Sequence, residues 1–241
     1  MENIYESSRT LGEYLLFHFG SRAEQFPWTE GPLDALDFPR RTVEELIDLT
    51  SDIENALDVG CAVGGSSFVL AELADSVLGI DYSSSFIAAA QAISETGELN
   101  YEYHEEADHW KKGKAIVDRI PDNLQFEVGD ACNLRDDLGS FNLVHAANLL
   151  CRLPNPMAFL ERVNDLVAPG GQLLLTTPFT WLEDFTPKEN WLAEKDCSSA
   201  LKQILSCRFQ LELEINMPFL IREHKRKFQY TVALGMRWRK K

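Results

Sequence analysis

Apolar positions change their period several times along this chain, and each change marks an element. Between residues 7 and 19, Leu11, Tyr14, Leu15, His18 and Phe19 recur at three- and four-residue steps and stop at Gly20, which predicts an amphipathic helix. Pro27, Gly31, Pro32 and Pro39 make residues 21–40 an ordered loop. Thr42 reads as the cap of a second helix through Val43, Leu46, Ile47 and Leu49. A short apolar run at 55–59 then predicts a buried strand, and helical spacing resumes at Phe68, Leu70 and Leu73. The alternation repeats as a strand at 76–81, a helix at 83–93, strands at 124–128 and 141–146, a helix at 157–167, a strand at 172–177 and a helix at 198–205. Ala168-Pro169-Gly170-Gly171 reads as a helix stop followed by a turn. Two alternating stretches, 208–216 and 227–237, predict an antiparallel hairpin at a sheet edge.

Strands alternating with helices predict an α/β fold: a Rossmann-like, doubly wound and mostly parallel sheet that binds ligands at the carboxyl ends of its strands. One domain over 1–241 is expected, with residues 1–50 as an N-terminal helical cap and 51–241 as the core. Residues 97–121 break the rhythm and predict an inserted hairpin or loop. His104 and His109 sit there among acids, yet no further ligands stand at metal-binding spacing, so a solvated polar turn is read and no metal is expected.

Charge removes some function classes. The net charge of −15 repels nucleic-acid phosphates and anionic lipid, so neither a nucleic acid nor a membrane is an expected partner. Five cysteines without a C-x-x-C pair fit reduced thiols and a cytoplasmic location. Met1-Glu2-Asn3-Ile4-Tyr5-Glu6 lacks the basic and apolar regions of a signal peptide. The basic runs Arg222 to Lys227 and Arg237 to Lys241 read as an edge strand protected by charge, with an anion site as the alternative.

The informative chemistry lies at predicted strand ends. In Leu57-Asp58-Val59-Gly60-Cys61-Ala62-Val63-Gly64, Gly60 and Gly64 permit a sharp turn and close approach of a ligand. The G-x-x-x-G spacing differs from the G-x-G-x-x-G of a pyrophosphate binder, which argues against a nicotinamide cofactor. Asp81 follows the glycine loop by roughly twenty residues, the distance at which an acid reaches a ribose diol. Asp130 stands near an adenine position. Together these residues fit a nucleoside that carries an amino acid.

At these residues the chain resembles the class I S-adenosylmethionine-dependent methyltransferases, through the glycine loop, Gly79-Ile80-Asp81, Gly129-Asp130-Ala131 and Pro169-Gly170-Gly171. The resemblance implies a seven-stranded sheet, S-adenosylmethionine as cofactor, and cofactor contacts at Asp58, Gly60, Cys61, Gly64, Asp81, Tyr82, Asp130, Ala131, Ala147 and Asn148. A narrower resemblance rests on Phe17-His18-Phe19-Gly20, Phe38-Pro39-Arg40, Ala146-Ala147-Asn148-Leu149, Pro178-Phe179-Thr180-Trp181-Leu182-Glu183-Asp184-Phe185-Thr186 and Met217-Pro218-Phe219-Leu220-Ile221-Arg222-Glu223. These look like the family that N-methylates the imidazole of 5-thiohistidine in ovothiol biosynthesis; the alternatives are a methyltransferase acting on another small amine, thiol or imidazole, and a non-catalytic S-adenosylmethionine-binding partner of a sulfoxide synthase. The family's upstream non-haem iron sulfoxide synthase domain is not part of this sequence, so a separate synthase is the expected source of substrate. Gly65 stands where a bulkier residue is expected, with no effect on cofactor binding foreseen.

The implied substrate carries a carboxylate, an ammonium, a thiol and a ring. Arg40, Arg152 and Arg222 are candidates for the carboxylate, because a guanidinium fork matches it. Glu183 or Asp184 suits the ammonium. Tyr14, His18, Asn148, Phe179 and Trp181 are candidates to wall or orient the ring, with Tyr14, His18 and Asn148 nearest the chemistry. His18 is read either as acceptor of the ring proton or as a hydrogen-bonding group within its helix packing.

Overall fold

The computed structural model describes residues 4–50 and 52–241; Met1-Glu2-Asn3, where the acidic N-terminus was read, lie outside the described residues. The strands are β1 (Ile53–Val59), β2 (Ala74–Asp81), β3 (Glu98–Glu106), β4 (His109–Ile116), β5 (Leu124–Val128), β6 (Phe141–Ala147), β7 (Val167–Thr177), β8 (Phe209–His224) and β9 (Lys227–Lys240). The helices are α1 (Ser8–Phe19), α2 (Arg22–Gln25), α3 (Phe38–Glu44), α4 (Gly65–Ala71), α5 (Ser84–Thr96), α6 (Pro156–Leu166) and α7 (Cys197–Ser206). Seven strands form one sheet in the order β5-β2-β1-β6-β7-β9-β8. β1, β2, β5, β6 and β7 run parallel, and β9 and β8 complete the sheet antiparallel.

The chain leaves β1 toward β2 and β5 on one side and returns through β6 and β7 on the other. That reversal opens a crevice at the carboxyl ends of β1 and β6, where open α/β sheets bind ligands. β1 is apolar because both its faces are covered, with Ala56, Leu57 and Val59 fully buried. No helix among the described residues is long and apolar enough to cross a membrane.

The 97–121 stretch is the antiparallel hairpin β3–β4, which forms a separate two-stranded sheet. Tyr101 and Tyr103 turn inward to the core shared with Leu15, Leu16 and Phe17 of α1. A side chain at Gly12 would stand 2.1 Å from the Glu102 carbonyl oxygen, so this glycine lets α1 lie directly on β3. Each Leu of α1 that is removed from water there stabilises the packing by about 1.5–3 kcal/mol. The hairpin thereby fixes the position of α1 over the crevice.

Three expectations give way. The second helix begins at Phe38, with Pro39 in its first turn, where the fixed proline φ is favourable. Thr42 is therefore inside the helix, its hydroxyl donating to the Pro39 carbonyl at 2.8 Å. The turn read at Pro169-Gly170-Gly171 is the start of β7, which shifts register against β6 between Phe141 and Leu143. Residues 237–240 of the basic run belong to β9, an interior strand, while β8 is the edge. Arg237 and Arg239 pair with Glu212, and Arg239 also pairs with Asp48, so these cations tie the sheet together.

Candidate active site

The carboxyl ends of the parallel strands, capped by α1 and by the outer part of the β8–β9 hairpin, enclose a cavity of about 610 Å³. That size suits a small organic ligand. Its sheet side carries Asp58, Gly60, Cys61, Asp81, Tyr82, Asp130, Ala131, Ala147 and Asn148; Tyr14, His18 and Arg152 line it from other elements. The predicted residues nearest the chemistry are thus brought together.

Local backbone geometry aims the loops. Of the described non-glycine residues with positive φ, Ala62, Asn148 and Phe179 follow β1, β6 and β7, at 49°, 52° and 53°. Such conformations cost free energy and persist where surrounding bonds over-determine them. Gly60, at φ 75°, needs no side chain, since a Cβ there would come within 2.8 Å of Leu149. The Ala62 N–H donates to Asp81 Oδ2 at 2.9 Å, and the Ser83 N–H donates to Oδ1 at 2.8 Å. Burial pushes the Asp81 carboxyl up to about 6, against these two bonds, which favour its charged form. Asn148 is held by Thr176: its N–H donates to the Thr176 hydroxyl at 3.1 Å, and that hydroxyl donates to Asn148 Oδ1 at 3.0 Å. Asp130 accepts the Cys132 N–H at 2.8 Å, and burial raises the Cys61 thiol well above its ordinary range.

Asp58 is almost fully buried, and side chains rather than loop amides hold it. Ser67 Oγ donates to its Oδ2 at 2.6 Å and His145 Nδ1 to its Oδ1 at 2.7 Å. His145 also lines the cavity and escaped the sequence reading, because a polar residue between Val144 and Ala146 gives no periodic signal.

His18 is held in one tautomer. Its Nδ1 accepts the Gly65 N–H at 3.1 Å, so the neutral ring carries its proton on Nε2. Burial pushes its pKa down to about 4, only partly opposed by the charge of Asp58. Of the two readings of His18, the structure shows the hydrogen-bonding group within the packing of α1 on α4, with Nδ1 occupied by the Gly65 N–H. Gly65 is the reason the ring fits: a Cβ there would stand 2.5 Å from Nδ1. Tyr14 stacks against His18, and burial raises its hydroxyl strongly, so it stays protonated.

Other expected ligands lie outside the cavity. Arg222 is buried and bonds Glu105 of the hairpin and the Glu24 carbonyl, with its guanidinium over Tyr103. Arg40 pairs with Glu44 and Glu72 and lines a separate cavity of about 680 Å³ beside α4. Phe179 and Trp181 pack into the core around α7, with Trp181 stacked on Trp191. Gly64, at φ 90°, turns the chain into α4, and a Cβ there would meet Phe126 at 2.7 Å. Glu183 and Asp184 are both exposed, and of the two Asp184 lines the cavity. Arg152 reaches it with Nη1 donating to the Thr180 carbonyl at 2.9 Å and its guanidinium 5.1 Å from the Phe185 ring centre. Tyr5, Phe219, Gln229 and Thr231 line the cavity too; β8–β9 register pairs Phe219 with Thr231 and Ile221 with Gln229. The alternation places the first strand of this hairpin at 208–216, whereas β8 runs on to His224, and that extension brings Phe219 opposite Thr231.

Residues 33–212 match the family model described as a methyltransferase domain. The chain is 28% identical over 163 residues to tRNA U34 carboxymethyltransferase of Idiomarina loihiensis, covering 63% of this chain and 44% of that protein. It is 27% identical over 135 residues to the ubiquinone biosynthesis O-methyltransferase of Coxiella burnetii, covering 56% and 47%. The chain thus spans less than half the length of these curated relatives. Its fold is similar to that of the N-methyltransferase NodS from Bradyrhizobium japonicum, crystallised with S-adenosylhomocysteine: TM-score 0.55 at 16% identity, covering 95% of this chain and 98% of that one.

Proposed function

The chain belongs to the methyltransferase domain family, and from that premise we propose that it transfers a methyl group from S-adenosylmethionine to the imidazole of 5-thiohistidine. One observation supports this reading above the others: donor, cation and anion converge on a single small cavity as His18, Arg152 and Asp184. The cofactor side fits its ligand. Asp81, oriented by two backbone N–H groups, suits the ribose diol, and Asp58 suits an ammonium. Asp130, on the cavity wall, is assigned to the adenine amino group.

The cofactor supplies a methyl group activated on a sulfonium. The protein's task is to hold a nitrogen lone pair in line with that methyl and keep water away. Phe38, Phe185 and Phe219 supply apolar wall. Arg152 takes the substrate carboxylate and Asp184 its ammonium, which fixes the ring's orientation. His18 donates a hydrogen bond from Nε2–H to the thiolate sulfur, and the reacting ring nitrogen enters with its lone pair free because its proton has been lost to solvent. Tyr14 and the Asn148 amide complete the ring's surroundings. The net charge of −15 disfavours a tRNA substrate. A non-haem iron sulfoxide synthase is the source of substrate in this reading.

Calorimetry tests it. With S-adenosylhomocysteine present, 5-thiohistidine should bind at least about tenfold more tightly than histidine, the value of one charge-assisted hydrogen bond. Equal affinities would remove the assigned role of His18 and the thiol-bearing substrate with it.

A further inference from the structure

A chain of buried polar groups runs from the substrate wall to the cofactor side of the cavity, and the chemistry assigned so far leaves its centre unused. It begins at α3, whose Phe38 and Pro39 line the cavity. The Thr42 hydroxyl, one turn on, bonds the Pro39 carbonyl at 2.8 Å and lies 3.0 Å from His145 Nε2. The other ring nitrogen, Nδ1, donates to Asp58 at 2.7 Å. His145 and Asp58 are each about 1% exposed, so a lost hydrogen bond between them is costly. A carboxylate only accepts, and with Ser67 on Oδ2 and His145 on Oδ1 its two oxygens are fixed in one plane.

We infer that His145 is a positioning residue, which holds the Asp58 carboxylate at the orientation that receives the ammonium of the cofactor's amino-acid part. The inference rests on the cofactor reading above. The same ring lies against Thr42 of α3, the helix whose Phe38 and Pro39 line the cavity. Loss of the Nδ1 donor frees Asp58 to rotate, and the cofactor loses a preorganised partner.

The two ring nitrogens can be tested apart. Asparagine places an N–H near the Nδ1 position, whereas glutamine reaches toward Nε2. His145→Gln should weaken S-adenosylhomocysteine binding about tenfold or more, since a hydrogen bond to a charged group is lost. His145→Asn should restore affinity to within about twofold. Binding of 5′-methylthioadenosine, which lacks the amino-acid part, should stay within about twofold in both variants. Equal weakening of both ligands, or no weakening of either, overturns the inference. If neither variant folds, the unaltered protein decides: the His145 Nδ1 proton resonance should shift with S-adenosylhomocysteine and stay in place with 5′-methylthioadenosine. The absence of a shift with the first also overturns it. Failure of both ligands to bind the unaltered protein would instead remove the cofactor reading itself.

Discussion

Lowering the pH should weaken cofactor binding through one carboxyl group. Burial raises Asp81 from its usual 3.8 to about 6, while the Ala62 and Ser83 amides point its oxygens at a fixed angle. The ionised form is the stronger partner for a ribose diol, so affinity follows the ionised fraction. That fraction is more than nine tenths at about pH 7.5 and near one tenth at about pH 5, which makes binding about tenfold weaker at the lower pH. The ligand-free fold responds in the opposite sense. A carboxyl raised in the folded state favours the protonated fold, so its contribution is present below the unfolded value of 3.8 and is lost as pH rises toward about 6. Calorimetric titration with S-adenosylhomocysteine at several pH values measures the first effect and thermal melting the second. Asp81→Asn should bind about tenfold to a hundredfold more weakly at pH 7.5, with a flat profile. A variant that keeps the slope, or a native protein that binds more tightly in acid, would refute the reasoning.

Three further outcomes follow from the geometry. Gly65→Ala brings a Cβ to 2.5 Å from His18 Nδ1, so the ring must move; kcat should fall about a hundredfold while the dissociation constant of S-adenosylhomocysteine stays within about threefold. Arg222→Met leaves Glu105 with only the partly exposed Lys111 and Lys225; denaturant unfolding should show a loss of about 3 kcal/mol, with KM for the methyl acceptor unchanged. A raised KM at unchanged stability would return Arg222 to the substrate. Arg152→Gln should raise KM about tenfold for an acceptor with a carboxylate, and leave it unchanged for one without.

The parallel strands were legible because β1, β6 and β7 are covered on both faces and read as apolar runs between turn residues. The crevice at the strand ends was legible for a related reason. Asp58, Gly60, Asp81, Asp130 and Asn148 each sit at or just beyond the end of a strand that pattern alone locates. The substrate side depends on contacts far apart in sequence. Arg222 reads as a free cation until the hairpin brings Glu105 to it across 117 residues. Trp181 and Phe179 read as cavity walls because nothing local announces α7 and Trp191 as their neighbours. Gly65 looked inconsequential because its consequence lies in α1, where His18 occupies the space a side chain would need. Thr42 shows the same effect within a few residues, since Pro39 set the helix start earlier than the threonine suggested.

The proposed methyl transfer to a thio-imidazole amino acid is read most directly from its product. Purified protein incubated with S-adenosylmethionine carrying a deuterated methyl group, together with 5-thiohistidine, should yield a product heavier by one labelled methyl, with the label on a ring nitrogen by tandem mass spectrometry. Histidine under the same conditions should yield none. Labelled histidine, a label on sulfur, or unlabelled 5-thiohistidine recovered while S-adenosylhomocysteine still binds the protein would contradict the account.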